Sequence, residues 1–66
     1  MSRVKDRRVV RAIRVLIVDD HRTFAEMLAL ALGAEPDFDC VGTAGSSAAA
    51  IEAAGRLRPD LVVMDI

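Results

Sequence analysis

Ile13-Arg14-Val15-Leu16-Ile17-Val18-Asp19-Asp20 is the stretch whose reading decides the fold. Its core is apolar, short and rich in β-branched residues, with one charge ahead of two terminal acids. A run of that kind reads as a parallel strand buried on both faces. Leu61-Val62-Val63-Met64 has the same character and also ends on an acid, Asp65. Carboxylates crowded at one sheet edge repel, by up to ~4 kcal/mol per pair at about 4 Å and an effective dielectric near 20. A hard cation taking oxygen ligands would offset that repulsion.

Between the two strands the pattern alternates. Phe24, Met27, Leu28, Ala31 and Leu32 recur at helical spacing and predict a helix with that stripe inward, stopped by Gly33 and Pro36. Phe38 to Thr43 reads as a second strand that alternates less cleanly, suited to a sheet edge. Ser46 or Ser47 is placed to cap a second helix with Ala50, Ile51, Ala54 and Leu57 inward. Gly55 lies inside that helix, at a cost of ~1 kcal/mol relative to Ala. Arg58-Pro59 ends it, and the third strand, Leu61 to Met64, follows. Met27 and Met64 read as core packing.

Such a β-α-β-α-β chain with short connections predicts a doubly wound α/β fold with parallel strands and right-handed crossovers. If the winding reverses after the first strand, the order is 2-1-3, and Asp19-Asp20 meet Asp65 at the switch point where open sheets bind ligands. The chain ends one residue after Asp65, with no covering helix, so the third strand is expected to leave a bare apolar edge.

Composition narrows the function. Sixty-six residues, 53% apolar and 29% charged, allow one small globular domain. A chain of this size buries only about 60% of its unfolded surface, so its core is marginal. Phe24 and Phe38 are the sole aromatics, which argues against a stacking platform for nucleic acid. The net charge of −1 conceals an asymmetry: residues 1–14 carry six basic groups against Asp6, and the remainder three against nine acids. Residues 1–12 therefore read as a basic arm, a solvated disordered leader in preference to a phosphate- or membrane-binding one. Arginines interrupt every stretch that could be a signal-peptide core, and no apolar run approaches the ~20 residues of a membrane span. Cys40 stands alone, so no internal disulfide can form, and it reads as a small buried strand residue. A soluble, cytoplasmic protein with no membrane partner is expected.

Three convergent carboxylates without a Cys or His cluster suit Mg²⁺. A partial carboxylate cage leaves metal positions free for phosphoryl oxygens, and one of the acids can then act as a nucleophile forming an acyl phosphate. The plainer alternative is that Asp20 caps the first helix. His21, beside the acids, is read as solvent-facing or capping in preference to a ligand or base. Gly42-Thr43-Ala44-Gly45-Ser46 lacks the glycine pattern and lysine of a phosphate loop and reads as a turn plus cap. Ser47, His21 and Asp60 lack the elbow of a hydrolase triad.

Taken together, Ile13 to His21 and Leu61 to Ile66 resemble the receiver domain of bacterial two-component response regulators, a flavodoxin-like fold. The Asp-Asp-His start, the helix around Phe24–Leu32 and the Arg58-Pro59-Asp60 lead-in look most like the subgroup with a LuxR/NarL-type helix-turn-helix output. The resemblance covers about residues 13–66. It implies that Asp65 is the phosphoacceptor, Asp20 a direct Mg²⁺ ligand and Asp19 an acid holding the metal largely through water. The donor would be the phosphohistidine of a sensor histidine kinase, and DNA would be met only through an output domain absent from this chain. The family also uses a carbonyl two residues after the acceptor, a strand-four Ser/Thr and a strand-five Lys, none of which lies in these 66 residues. The chain is accordingly expected to be the N-terminal half of a receiver, a phosphoacceptor and not itself an enzyme, unstable alone or associating into dimers or aggregates through the exposed strand edge.

Two other classes stand beside this reading. A pseudo-receiver would act through protein contacts alone. A phosphohydrolase of the haloacid-dehalogenase type also uses a strand-end Asp, but wants a second acid two residues further on along the first strand, where this chain has adjacent acids.

Overall fold

In a computed structural model that describes residues 12–65, the chain forms β1 (Ile13–Asp19), α1 (Arg22–Gly33), β2 (Phe38–Ala44), α2 (Ser47–Leu57) and β3 (Leu61–Asp65). The three strands are parallel in the order β2-β1-β3, as the sequence predicts for a flavodoxin-like α/β sheet whose winding reverses after the first strand. The basic arm assigned to residues 1–12 lies, except for Ala12, outside the described residues.

β1 is the centre of the molecule. Val15, Leu16, Ile17 and Val18 are each 1% exposed or less, because the strand has a neighbour on either edge and a helix over either face. Val15 and Ile17 face α1, where Ala25 is buried against them and Leu28, Ala29 and Leu32 close over the layer. Leu16 and Val18 face α2, where Ala50 and Ala53 are buried and Ala54 and Leu57 pack beside them. Alternation along one strand thus feeds two thin cores.

Both helices are rotated relative to the stripes expected from sequence. Phe24 and Met27, expected inward, are 50% and 62% exposed, and Ala31 is exposed too. In α2, Ile51 is 74% exposed and Ala53 takes the buried place. The cause is the same in each case: the smallest side chains, Ala25, Ala50 and Ala53, meet the sheet and let the helix axis come close. The bulky apolar residues sit on the shoulders. β3 departs as well. Expected to be buried on both faces, it is largely exposed, with Met64 at 58%, since neither helix reaches over it far enough.

Local signals explain the connections. Gly33 is the last residue of α1, not a left-handed stop; Ala34 follows in right-handed helical conformation, and its N–H donates to the Leu30 and Ala31 carbonyls before Pro36. Ser46 caps α2, its Oγ accepting from the Ala49 N–H at 3.1 Å. At the far end Arg58 adopts φ 55, the left-handed conformation that turns the chain out of the helix.

Arg14 ties these pieces together. Its guanidinium Nη1 donates to the Leu57 carbonyl at 2.7 Å and to the Arg58 carbonyl at 3.1 Å, closing the C-terminus of α2. Its backbone N–H donates to Asp60 Oδ2 at 2.9 Å, and the Asp60 N–H donates back to the Arg14 carbonyl at 2.8 Å. Asp60 therefore clamps the entry of β3 to β1 and sets the register that begins at Val15↔Leu61.

The untidy alternation of β2 has a structural reason. Val15 pairs with Cys40 but Leu16 pairs with Gly42, so Val41 is an extra residue in a bulge. The bulge turns Gly42 toward α2, where a Cβ would lie 2.8 Å from Leu57 Cδ1. Cys40, expected buried, is half-buried on the α1 side, its Sγ 3.6 Å from the Gly42 carbonyl oxygen.

Candidate functional site

The register of β1 on β3 ends with Asp19 opposite Asp65. Residues opposed across a parallel ladder point to the same face, so both carboxylates emerge on the α1 side at the C-terminal edge of the sheet. Asp19 is part of β1, one residue further than the sequence suggests, and is 3% exposed. Asp65 is exposed, as is Asp20, whose side chain is 59% accessible. The two clefts at this edge meet at Asp19. One is lined by Asp19, His21, Thr23, Phe24, Met27 and Asp65, and the other passes Asp20, Arg22 and Thr43 between β1 and β2.

Burial of Asp19 is unusual for an ionisable residue. One oxygen is accounted for: Oδ1 accepts the His21 backbone N–H at 2.8 Å. That bond fixes the turn from β1 into α1 and makes Asp19, rather than Asp20, the acid that supports the helix start. His21 is the N-cap residue but its side chain makes no capping bond. Instead its imidazole Nδ1 lies 3.1 Å from Asp20 Oδ1 and 3.4 Å from Asp19 Oδ1, while the ring is 80% exposed. The expected solvent-facing position of His21 is thus observed, together with a polar contact to both acids. Asp19 Oδ2 has no hydrogen-bond partner among the described residues.

The donor set fits a divalent cation. Asp19, Asp20 and His21 each offer a ligand atom, and the three lie within 4.8 Å of one another. Two of the donors are hard carboxylate oxygens, the kind Mg²⁺ takes while keeping several waters. Asp65 stands outside this cluster, across the ladder from Asp19, with its carboxylate in the open cleft. The sequence singled out all three acids; Arg22 and Thr23, which line the clefts, it did not. Their only signal is position, in the first turn of a helix that begins at the sheet's ligand-binding edge.

No helix among the described residues is long and apolar enough to cross a membrane.

Comparison with known proteins places the chain. The profile of the response regulator receiver domain matches residues 15–66. A protein-glutamate methylesterase/protein-glutamine glutaminase of Myxococcus xanthus is 48% identical over 58 residues, covering 88% of this chain and 16% of that protein. The DNA-binding transcriptional activator DevR/DosR of Mycobacterium tuberculosis is 43% identical over 54 residues, covering 82% and 25%. The transcriptional regulatory protein LiaR of Bacillus subtilis is 39% identical over 54 residues, covering 82% and 26%. The chain therefore spans roughly a sixth to a quarter of the length of these relatives. Transcription regulators stand among the matches beside methylesterases, so the narrower likeness to the LuxR/NarL-type subgroup does not single out one output. No solved structure matches the chain.

Proposed function

We propose, for a chain that belongs to the response regulator receiver family, that Asp65 is the phosphoacceptor and that Asp19 and Asp20 hold Mg²⁺ beside it. The observation that carries this reading is the final rung of the β1–β3 ladder, where buried Asp19 opposes exposed Asp65. A nucleophile that must meet a macromolecular donor has to be open, and Asp65 is. An acid that only positions a cation gains from burial, where a neighbouring positive charge counts for more, and Asp19 is buried.

The chemistry is an in-line phosphoryl transfer. A carboxylate oxygen of Asp65 attacks phosphorus in the phosphohistidine of a sensor histidine kinase. The O–P bond forms as the N–P bond breaks, and the electron pair returns to the departing imidazole. The product is an acyl phosphate on Asp65. Bound at Asp19 and Asp20, with Asp65 as a further ligand, Mg²⁺ would neutralise the charge gathering on the transferring oxygens. The Asp19 Oδ1 bond to the His21 N–H keeps that carboxylate in place while the other members of the site are open to solvent.

The relatives suggest two outputs. DevR/DosR and LiaR favour control of a DNA-binding domain, and the M. xanthus relative favours control of a methylesterase. The coding sequence downstream of Ile66 distinguishes them directly: a helix-turn-helix supports the first and an esterase domain the second.

Acetyl phosphate with Mg²⁺, read by mass spectrometry on the chain in its full natural sequence, tests the acceptor. One phosphoryl adduct is expected, absent from Asp65→Ala and from chelator-treated protein. An adduct that survives in Asp65→Ala would overturn the assignment, and absence of any adduct favours a receiver acting by protein contact alone.

A further inference from the structure

β2 stands at one end of the strand order, and its outer edge meets no other strand among the described residues. Continuing a flavodoxin-like sheet beyond β3 would leave that edge as it is. Beside it, between α1 and β2, runs an open groove with an apolar floor of Ala29, Leu30, Phe38 and Cys40 and a rim that includes Glu26 and Asp39. Leu30 is 76% exposed there. Glu35 and Asp37 stand in the connection that leads into β2. All four acids are exposed. Among the described residues, none of their carboxylates meets a cation or accepts a hydrogen bond, and no basic side chain lines the groove.

The chain itself supplies the complement. Residues 1–11 hold five basic groups against one acid, and residues 12–66 hold four against nine. We propose that residues 3–11 fold back along the outer edge of β2 and cover this groove, with Arg7, Arg8 and Arg11 against its acids. The tether favours it. Ile13 pairs with Phe38, and its N–H donates to the Asp37 carbonyl at 2.8 Å, so Arg11 is joined to the sheet beside Glu35, Asp37 and Asp39. Binding is then intramolecular, at a high effective concentration. Entering where β2 begins, the segment runs antiparallel to it. Extended chain rises about 3.3 Å per residue, so residues 3–11 reach about 30 Å, enough to follow the seven residues of β2. Val9 and Val10 are β-branched, as suits an added strand, and such a strand satisfies edge groups that would otherwise recruit another chain. Exposed ion pairs are individually weak, so the charges select the site while strand pairing and cover over Leu30 hold the segment. A docked segment here replaces the solvated leader expected from the sequence. The assignment of Asp65 is not involved, since β1 separates β2 from β3.

Cys40, half-buried in the groove floor, reports its coverage. Alkylation by iodoacetamide, a neutral reagent, is followed at the Cys40 peptide by mass spectrometry in the protein's full natural sequence. Arg7→Glu, Arg8→Glu and Arg11→Glu combined should speed the reaction by about threefold or more, as when a segment docked for most of the time is released. Charge alone predicts the reverse: a basic neighbour promotes thiolate chemistry, so losing these arginines without uncovering Cys40 would slow it. Adding Glu35→Arg, Asp37→Arg and Asp39→Arg to the same chain swaps the two sets of charges and should restore the slow rate. A variant that had merely lost its fold would not be rescued in this way. Equal rates in the parent and the arm variant, or a charge-swapped chain that stays fast, would overturn the proposal. Protection in the parent that disappears on dilution would overturn it too, by giving the groove to the basic segment of a second copy.

Discussion

Asp19 on β1 and Asp65 on β3 face each other across the last rung of a parallel ladder, the first buried and the second open to solvent. Folding alone gives little reason for that pair. Two like charges share one edge, and one of them has lost nearly all its water. Asp19→Asn keeps an oxygen able to accept the His21 N–H while removing the buried charge. In the absence of divalent cations the variant should therefore be more stable, by on the order of 1 kcal/mol. Chemical denaturation in chelator measures it. A clear loss of stability would mean that Asp19 is held for structural reasons and not for a cation.

The same pair predicts the response to metal. A cation that binds only the folded chain stabilises it by RT ln(1 + [L]/Kd), about 2.7 kcal/mol at a hundredfold excess over Kd. Mg²⁺ should raise the melting temperature progressively, and the rise should vanish in Asp20→Ala. Asp20 is exposed and makes no structural bond in the site beyond its contact with His21, so the variant should otherwise melt as the parent does. An undiminished shift in Asp20→Ala would remove Asp20 from the metal's ligands.

Arg14 carries a separate load. Its guanidinium closes the last carbonyls of α2 at 2.7 and 3.1 Å while its backbone is clamped by Asp60. Arg14→Met retains the apolar stem and loses both side-chain bonds, at a cost of about 1.5 kcal/mol. Arg14→Lys should recover only part, since the Lys ammonium sits one bond short of the Nη1 that serves both carbonyls. Equilibrium unfolding of the three proteins provides the comparison, and an unaffected Arg14→Met would show the cap to be redundant.

Two positions at the end of α2 are open to improvement. Arg58 holds φ 55, a conformation that costs a side-chain-bearing residue roughly 1–2 kcal/mol and Gly almost nothing. Gly55, inside the helix, has nothing within 4 Å of where a Cβ would stand. Arg58→Gly and Gly55→Ala should each raise stability by about 1 kcal/mol. Thermal melts of the single variants test this. A destabilised Arg58→Gly would show that the Arg58 side chain contributes more than its strain.

How far the sequence could be read follows from what each segment contacts. β1, β2 and both helices were legible because their signals are local: β-branched runs, a serine cap, and Arg58-Pro59 as a stop. The gathering of Asp19, Asp20 and Asp65 at one sheet edge was legible because an apolar strand ending in Asp is conspicuous without any partner. Helix rotation was not. Nine of twelve residues in α1 are apolar or Gly, so several stripes compete, and the choice of Ala25 over Phe24 depends on how closely the helix approaches Val15 and Ile17. The exposure of Ile51 has the same origin, with Ala53 taking its place against Leu16 and Val18. The bulge at Val41 and the contact of His21 with both acids depend on the strand register and the turn, which no single residue announces.

β3 supports the last prediction. It ends the strand order, leaving one edge without a partner strand among the described residues. Val62 and Met64 lie on the α2 side at 39% and 58% exposure, and Leu61 on the α1 side at 45%. An unpaired edge that is apolar up to its terminal Asp65 is a template for another strand. As an isolated 66-residue polypeptide the chain should therefore associate through β3, with sedimentation and melting that depend on concentration. Val62→Lys places a charge on the apolar face beside that edge and should shift the population toward monomer, even if it lowers stability, because pairing would bury the ammonium. Equal association by Val62→Lys would move the contact to another surface, such as the Phe24–Met27 shoulder of α1. A cooperative melt of a monomer, unchanged on dilution, would show that β3 is secure without any partner.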